Sequence, residues 1–137
     1  MDESLLRAAR EAARNAYAPY SRYPVGAALE TVDGRVFTGC NVENASYGLA
    51  LCAERTALAG AVAAGARRFR RLVVVTTSDP PAAPCGACRQ VLAEFGRELI
   101  VESVGPKSSR RWTLGELLPD AFGPDDLARP STQTGLS

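Results

Sequence analysis

Arg71-Leu72-Val73-Val74-Val75-Thr76-Thr77 decides the architecture of this chain. The run is short, apolar and β-branched, the form a strand takes when both faces of its sheet are covered. Helical patterns lie on either side: residues 51–64, stopped by Gly65, and residues 86–95, ending at Gly96. A second apolar run follows at residues 99–104. A strand–helix–strand crossover puts its strands parallel and its helix against the sheet. Upstream, residues 25–32 and 35–41 flank Asp33-Gly34, a hairpin signal. Residues 4–16 carry Leu5, Ala8, Ala9, Ala12, Ala13 and Ala16 at helical spacing, with Arg7, Arg10, Glu11 and Arg14 mostly opposite. Residues 110–113 read as a short fifth strand and 114–118 as a helical turn. The expected fold is a three-layer α/β/α sandwich around a mixed five-stranded sheet. Residues 1–128 form a single catalytic domain and 129–137 a polar, flexible tail.

Composition narrows the function. The 137 residues are 46% hydrophobic and 23% charged, with a net charge of +1. Nothing in that balance draws the chain to nucleic acid or an anionic membrane, and no apolar stretch reaches membrane-spanning length. Met1-Asp2-Glu3 is acidic and begins no signal-peptide core, so the expected location is the cytoplasm, where thiols stay reduced. The chain has four cysteines and no histidine. Four thiols in a reducing compartment suggest a metal or catalysis before disulfides. With no imidazole available, acid–base work falls to a carboxylate.

The candidate chemistry lies in Leu51-Cys52-Ala53-Glu54-Arg55 and Pro84-Cys85-Gly86-Ala87-Cys88. Cys52, Cys85 and Cys88 supply three thiolates at the starts of two helices, where exposed amides and the helix dipole favour negative charge. A catalytic zinc keeps three protein ligands and one open place. Three thiolates outweigh a divalent cation by one charge, so a neighbouring donor is needed, and Arg55 is the candidate for tuning that charge. Glu54, two residues beyond Cys52, is the candidate proton carrier, suited to the task by a raised pKa. Cys40 decides between two readings. As a fourth ligand it would close a structural site of four cysteines; as a buried strand cysteine it leaves the site open. A redox role for Cys85-Gly86-Ala87-Cys88 leaves Cys52 and Glu54 unexplained. A Cys-x-Glu joined to a downstream Pro-Cys-x-x-Cys is the pattern of zinc deaminases.

Longer stretches carry a closer resemblance. They are Ala18-Pro19-Tyr20-Ser21, Pro24-Val25-Gly26-Ala27-Ala28, Gly39-Cys40-Asn41-Val42-Glu43-Asn44-Ala45-Ser46-Tyr47-Gly48, Cys52-Ala53-Glu54-Arg55-Thr56-Ala57, Pro84-Cys85-Gly86-Ala87-Cys88-Arg89-Gln90-Val91 and Leu117-Leu118-Pro119-Asp120-Ala121-Phe122. Over roughly residues 5–127 the chain resembles the small homotetrameric cytidine deaminases. The resemblance implies hydrolysis of cytidine and 2′-deoxycytidine to the uridines plus ammonia in pyrimidine salvage, with one Zn2+ per subunit held by Cys52, Cys85 and Cys88 and with Glu54 as proton shuttle. It implies that Asn41 and Glu43 hold the ribose 3′-hydroxyl, that the backbone near Ala53 meets the base, and that Tyr23 packs on the nucleoside. It further implies that Ala45, Tyr47 and Phe122 reach a neighbouring subunit's site, so that a homotetramer forms composite sites. Neither nucleic acid nor a membrane is an expected partner.

Three departures stand out. Tyr23 occupies a place where the family usually has Phe, and its hydroxyl needs a partner or water. Ala50 stands where many relatives carry a hydroxyl residue. Arg67-Arg68-Phe69-Arg70-Arg71 is unusually basic, and is read as a solvated helix-to-strand loop. The nearest rival function is deamination of a modified cytosine nucleoside. A structural zinc module built on Cys40 is the rival from another class.

Overall fold

The computed structural model describes residues 3–127, so the expected tail at 129–137 lies outside the described residues. Its elements run α1 (Glu3–Arg14), β1 (Gly26–Thr31), β2 (Val36–Cys40), a 3-10 turn (Tyr47–Leu49), α2 (Ala53–Ala63), β3 (Phe69–Val75), α3 (Gly86–Ala93), β4 (Ile100–Val104), β5 (Ser109–Thr113), α4 (Leu114–Leu117) and α5 (Pro124–Leu127).

The five strands form one sheet in the order β2-β1-β3-β4-β5. β1 pairs antiparallel with β2 and β3, β3 pairs parallel with β4, and β4 pairs antiparallel with β5. The sheet is therefore mixed, as expected. Its single adjacent parallel pair is joined by α3, while α2 crosses over β1 to connect β2 to β3.

Alternation along the strands divides the core into two layers. Ala27 and Leu29 of β1, Leu72 and Val74 of β3, and Val101 of β4 face one way, against Ala53, Ala57, Leu58 and Ala61 of α2 and Leu92 of α3. Ala28 and Val73 face the other way, against Leu5, Leu6 and Ala9 of α1. Fully burying a leucine such as Leu5, Leu29 or Leu72 contributes about 1.5–3 kcal/mol each.

Small residues set the helix-to-sheet distance on both faces. A Cβ at Gly26 would collide with the Ala9 carbonyl and the Ala13 amide of α1, and one at Gly39 would collide with Ala53, Thr56 and Ala57 of α2. α2 thus lies directly on β2, and the Thr56 hydroxyl donates to the Cys40 carbonyl at 2.9 Å.

Several boundaries differ from expectation. β3 starts at Phe69 and ends at Val75, two residues earlier at each end than the apolar run suggests. The arginines at its start find partners in the fold. Arg67 donates to the carbonyls of Val62 in the last turn of α2 and of Ala66, its own chain neighbour, Arg70 pairs with Glu30 at 3.3 Å, and Arg71 with Glu102 at 3.5 Å. The basic cluster is spent largely on local contacts. Cys40, expected to be buried, is half-exposed because β2 is an edge strand.

Candidate active site

The site forms where the N-termini of α2 and α3 meet on one face of the sheet. Cys52 is the N-cap of α2 and Cys85 the N-cap of α3, both with extended backbone and neither side chain used for capping. Cys88 lies in the first turn of α3 and is fully buried. The Cys52 and Cys85 sulfurs are 3.8 Å apart and those of Cys85 and Cys88 3.5 Å apart. All three ligand atoms lie within 4.8 Å of one another. Zn–S bonds of about 2.3 Å in tetrahedral geometry put neighbouring sulfurs about 3.8 Å apart, so the spacing fits a zinc ion. Among the described residues this is the one cluster able to hold a metal, and Cys40 is not in it. The closed four-cysteine alternative therefore lacks its fourth ligand.

The loop that presents Cys85 is tied down at several points. Arg89 donates to the carbonyls of Pro84 and Leu117, each at 2.8 Å. Ser103 of β4 donates to the Ala82 carbonyl at 2.6 Å. These bonds fix the approach of α3 to α2 without using the sulfurs.

Electrostatics separate the three thiols. Hydrogen bonding with Cys88, and then with Arg55 and Cys85, lowers the Cys52 pKa to about 5. The same contact with Cys52, reinforced by burial and by the charges on Glu54 and Cys52, pushes Cys88 well up. The contact favours a thiolate at Cys52 and a thiol at Cys88, and a divalent cation would displace that proton to recruit all three. The Arg55 Nη2 group donates to the Cys52 sulfur at 3.5 Å, the contact expected of a charge-tuning residue. Arg55 Nε is buried without a hydrogen-bond partner.

Glu54 is 6% exposed. Burial raises its pKa, and the nearby Cys52 charge adds to that, against lowering by a backbone bond and by Arg55. It stands beside the thiols without joining the ligand cluster.

These groups open onto a cavity of about 260 Å³ whose lining includes Tyr23, Asn41, Glu43, Cys52, Ala53 and Glu54, in the manner of a small-molecule site. The Asn41 amide accepts from Val25 N–H at 2.9 Å and donates to the Tyr23 carbonyl at 2.8 Å. Glu43 accepts from the backbone of Tyr20 at 2.9 Å and Ser21 at 3.2 Å, and from the Ser21 hydroxyl. The Ser21 hydroxyl, helped by those amides, holds its carboxyl below the usual range against the opposing effect of burial.

Ala45, Tyr47 and Phe122 do not line this cavity. Tyr47 is 76% exposed and Phe122 58% exposed. Residues that the sequence reading passed over do line it: Val25, Val74, Thr76, Ala82 and Ala83. Val25 sits inside a quoted motif and Thr76 at the end of the decisive strand, which were the available signals.

Residues 1–103 match the family described as the cytidine and deoxycytidylate deaminase zinc-binding region. A curated cytidine deaminase of Mycobacterium tuberculosis is 51% identical over 131 residues, covering 94% of this chain and 96% of that protein. One from Sporosarcina psychrophila is 44% identical over 133 residues, covering 96% and 98%. The crystal structure of cytidine deaminase from Burkholderia pseudomallei superposes with a TM-score of 0.85 at 54% identity, covering 89% of this chain and all of that one. Matched along most of its length, and carrying three convergent thiols beside a buried carboxylate, the chain belongs to the cytidine deaminase family.

Proposed function

We propose that this protein catalyses the zinc-dependent hydrolytic deamination of cytidine and 2′-deoxycytidine to uridine and 2′-deoxyuridine, releasing ammonia, in pyrimidine salvage. The observation that carries this is the pairing of a three-sulfur cluster with a buried carboxylate outside the ligand set, on the wall of one cavity. Three ligands leave a place open, where a structural site would be closed.

Cys52, Cys85 and Cys88 hold the zinc, which when bound supplies the Lewis acidity that ionises water near neutral pH. Glu54 takes the proton released from water, passes it to ring N3, and then serves the departing ammonia. Its raised pKa matches a group that must accept and return a proton. Arg55 offsets the excess thiolate charge through Cys52. Asn41 and Glu43 orient the ribose. Asn41 has one amide hydrogen left after its bond to Tyr23, and ionised Glu43 has spare acceptor capacity. The backbone at Ala53 meets the base, and Tyr23 packs along the nucleoside.

Ala45, Tyr47 and Phe122 serve the site of another subunit, and the working enzyme is a cytoplasmic homotetramer of single catalytic domains spanning residues 1–128. No helix among the described residues is long and apolar enough to cross a membrane. Exposed Tyr47, Leu49, Leu51 and Phe122 support association, since such surface commonly marks contact sites.

The test is the ultraviolet absorbance of cytidine mixed with zinc-loaded protein, with Glu54→Gln run alongside. Conversion to uridine by the wild type alone is the expected result. Conversion by neither, with zinc bound, would overturn the reading.

A further inference from the structure

The hydroxyl of Tyr23, the departure from the family's usual Phe, does not point to bulk water. It donates to Ser78 Oγ at 3.0 Å. Ser78 Oγ in turn lies 2.9 Å from Thr76 Oγ1, and the Ser78 N–H reaches the same Thr76 oxygen at 3.3 Å. Three hydroxyls thus form a chain across 55 residues of sequence, from the loop after α1 to the end of β3. Tyr23 and Thr76 both line the nucleoside cavity, and Thr76 is only 6% exposed.

The far end of the chain is rigid. Thr76 N–H donates to the Val104 carbonyl at 3.0 Å, extending the β3–β4 pairing by one bond. Gly105 comes so close that a Cβ there would lie 2.5 Å from the Ser78 carbonyl and 3.2 Å from Pro81. Ser78 is therefore a fixed post.

The near end carries the ribose cradle. Tyr23 N–H donates to Ser21 Oγ at 3.1 Å, Ser21 donates to Glu43, and the Tyr23 carbonyl accepts from Asn41 at 2.8 Å. Tyr23 is bonded by backbone to the Asn41–Glu43 side of the cavity and by side chain to the β3 side. Loss of the tether would leave the ring free to move about its side-chain torsions, and ordering it again on binding would cost affinity.

We infer that Tyr23 is a positioning residue: its hydroxyl, anchored through Ser78 to Thr76, fixes the aromatic wall of the nucleoside cavity relative to the ribose cradle and so sets nucleoside affinity. This rests on the proposed function. The wall takes no part in the proposed proton transfer, so it is felt alike by bound substrate and transition state. Such uniform binding moves KM and leaves kcat in place.

The test compares cytidine kinetics and zinc content of the wild type, Tyr23→Phe, Ser78→Ala and the double variant, with Ser78→Thr as the variant that keeps a hydroxyl. Re-ordering one freed side chain on binding predicts a KM increase of about fivefold in each single variant, with kcat within about twofold and zinc unchanged. Because both ends belong to one tether, the double variant is no worse than either single one. Ser78→Thr restores most of the lost affinity. An unchanged KM in Tyr23→Phe, single effects that multiply in the double variant, or a fall in kcat with lost zinc would each overturn the inference. A wild type that binds zinc but leaves cytidine unchanged would instead defeat the function on which it rests.

Discussion

Glu54, proposed as the proton carrier, would serve chemistry at a cost to stability. Burial raises its pKa from 4.5. Between that value and the raised one, the folded protein binds a proton that the unfolded chain has released. Stability therefore falls as pH rises through this window, and at neutral pH the buried carboxylate is a net cost. Glu54→Gln should leave the metal-free protein at least as heat-stable as the wild type at pH 7, with the difference closing below about pH 4. The same change should lower kcat by about 10³-fold or more. A Tm that drops at pH 7 while activity survives would contradict both halves. Arg55 is tested the same way. Arg55→Gln removes the donor 3.5 Å from the Cys52 sulfur, and zinc affinity should fall about tenfold or more in competition with a chelator. Cys88, which keeps its proton beside charged Cys52, makes zinc uptake release protons, so affinity should rise with pH across the neutral range. A flat profile would mean that the Cys88 thiol is not held protonated by Cys52. At this scale the ligands were legible in the sequence because Cys-x-Glu and Cys-x-x-Cys are local patterns. Ser78 and Thr76 were not, because nothing in Thr76-Thr77-Ser78 tells which hydroxyl will meet a tyrosine far away in the chain.

Elements were legible where one period dominated. Leu72-Val73-Val74-Val75 read as a covered strand, and α1 and α2 lie on opposite faces of it. Gly34, Gly65 and Gly96 take positive φ at the turn and helix stops where they were expected. Boundaries were less legible. Ladder pairing, not hydropathy, decides where β3 ends, and partners for Phe69 and Val75 come from β1. The 3-10 turn at Tyr47–Leu49 had no sequence period to reveal it. Nor did hydropathy show that two glycines govern where the helices can lie. Gly39 makes this testable. A methyl group there meets Thr56 and the α2 backbone at Ala53 and Ala57, so α2 must move, carrying Cys52 and Glu54 with it. Gly39→Ala should cost about 1–3 kcal/mol in a melting experiment and also weaken zinc binding. Gly34→Ala is the comparison. It has open space but a φ of +91°, so it should cost stability and leave zinc affinity alone. Equal zinc affinity in both variants would show that the packing of α2 on β2 does not position the metal ligands.

At the scale of the whole molecule, the isolated chain leaves residues exposed that its own cavity does not use. Tyr47 packs edge-on against Tyr20 at 5.9 Å yet remains mostly in solvent. Phe122 is held by its backbone, which accepts from Gln90 of α3 at 2.9 Å, while its ring stays open. Phe122 is not part of the lining of its own cavity, so a role in catalysis requires a second subunit. If sites are completed across an interface, two defective proteins can repair each other. Phe122→Ala keeps an intact Glu54 but offers its neighbour no ring, whereas Glu54→Gln offers the ring and lacks the proton carrier. Mixed by unfolding and refolding together, they form some sites with Glu54 from one subunit and Phe122 from the other. The mixture should then turn over cytidine faster than the average of the two variants, chiefly through a lower KM, and sedimentation should show one assembly of the same size as the wild type. The average rate in the mixture, together with a monomer by sedimentation, would put the whole site within one chain and make the exposed aromatics incidental to catalysis.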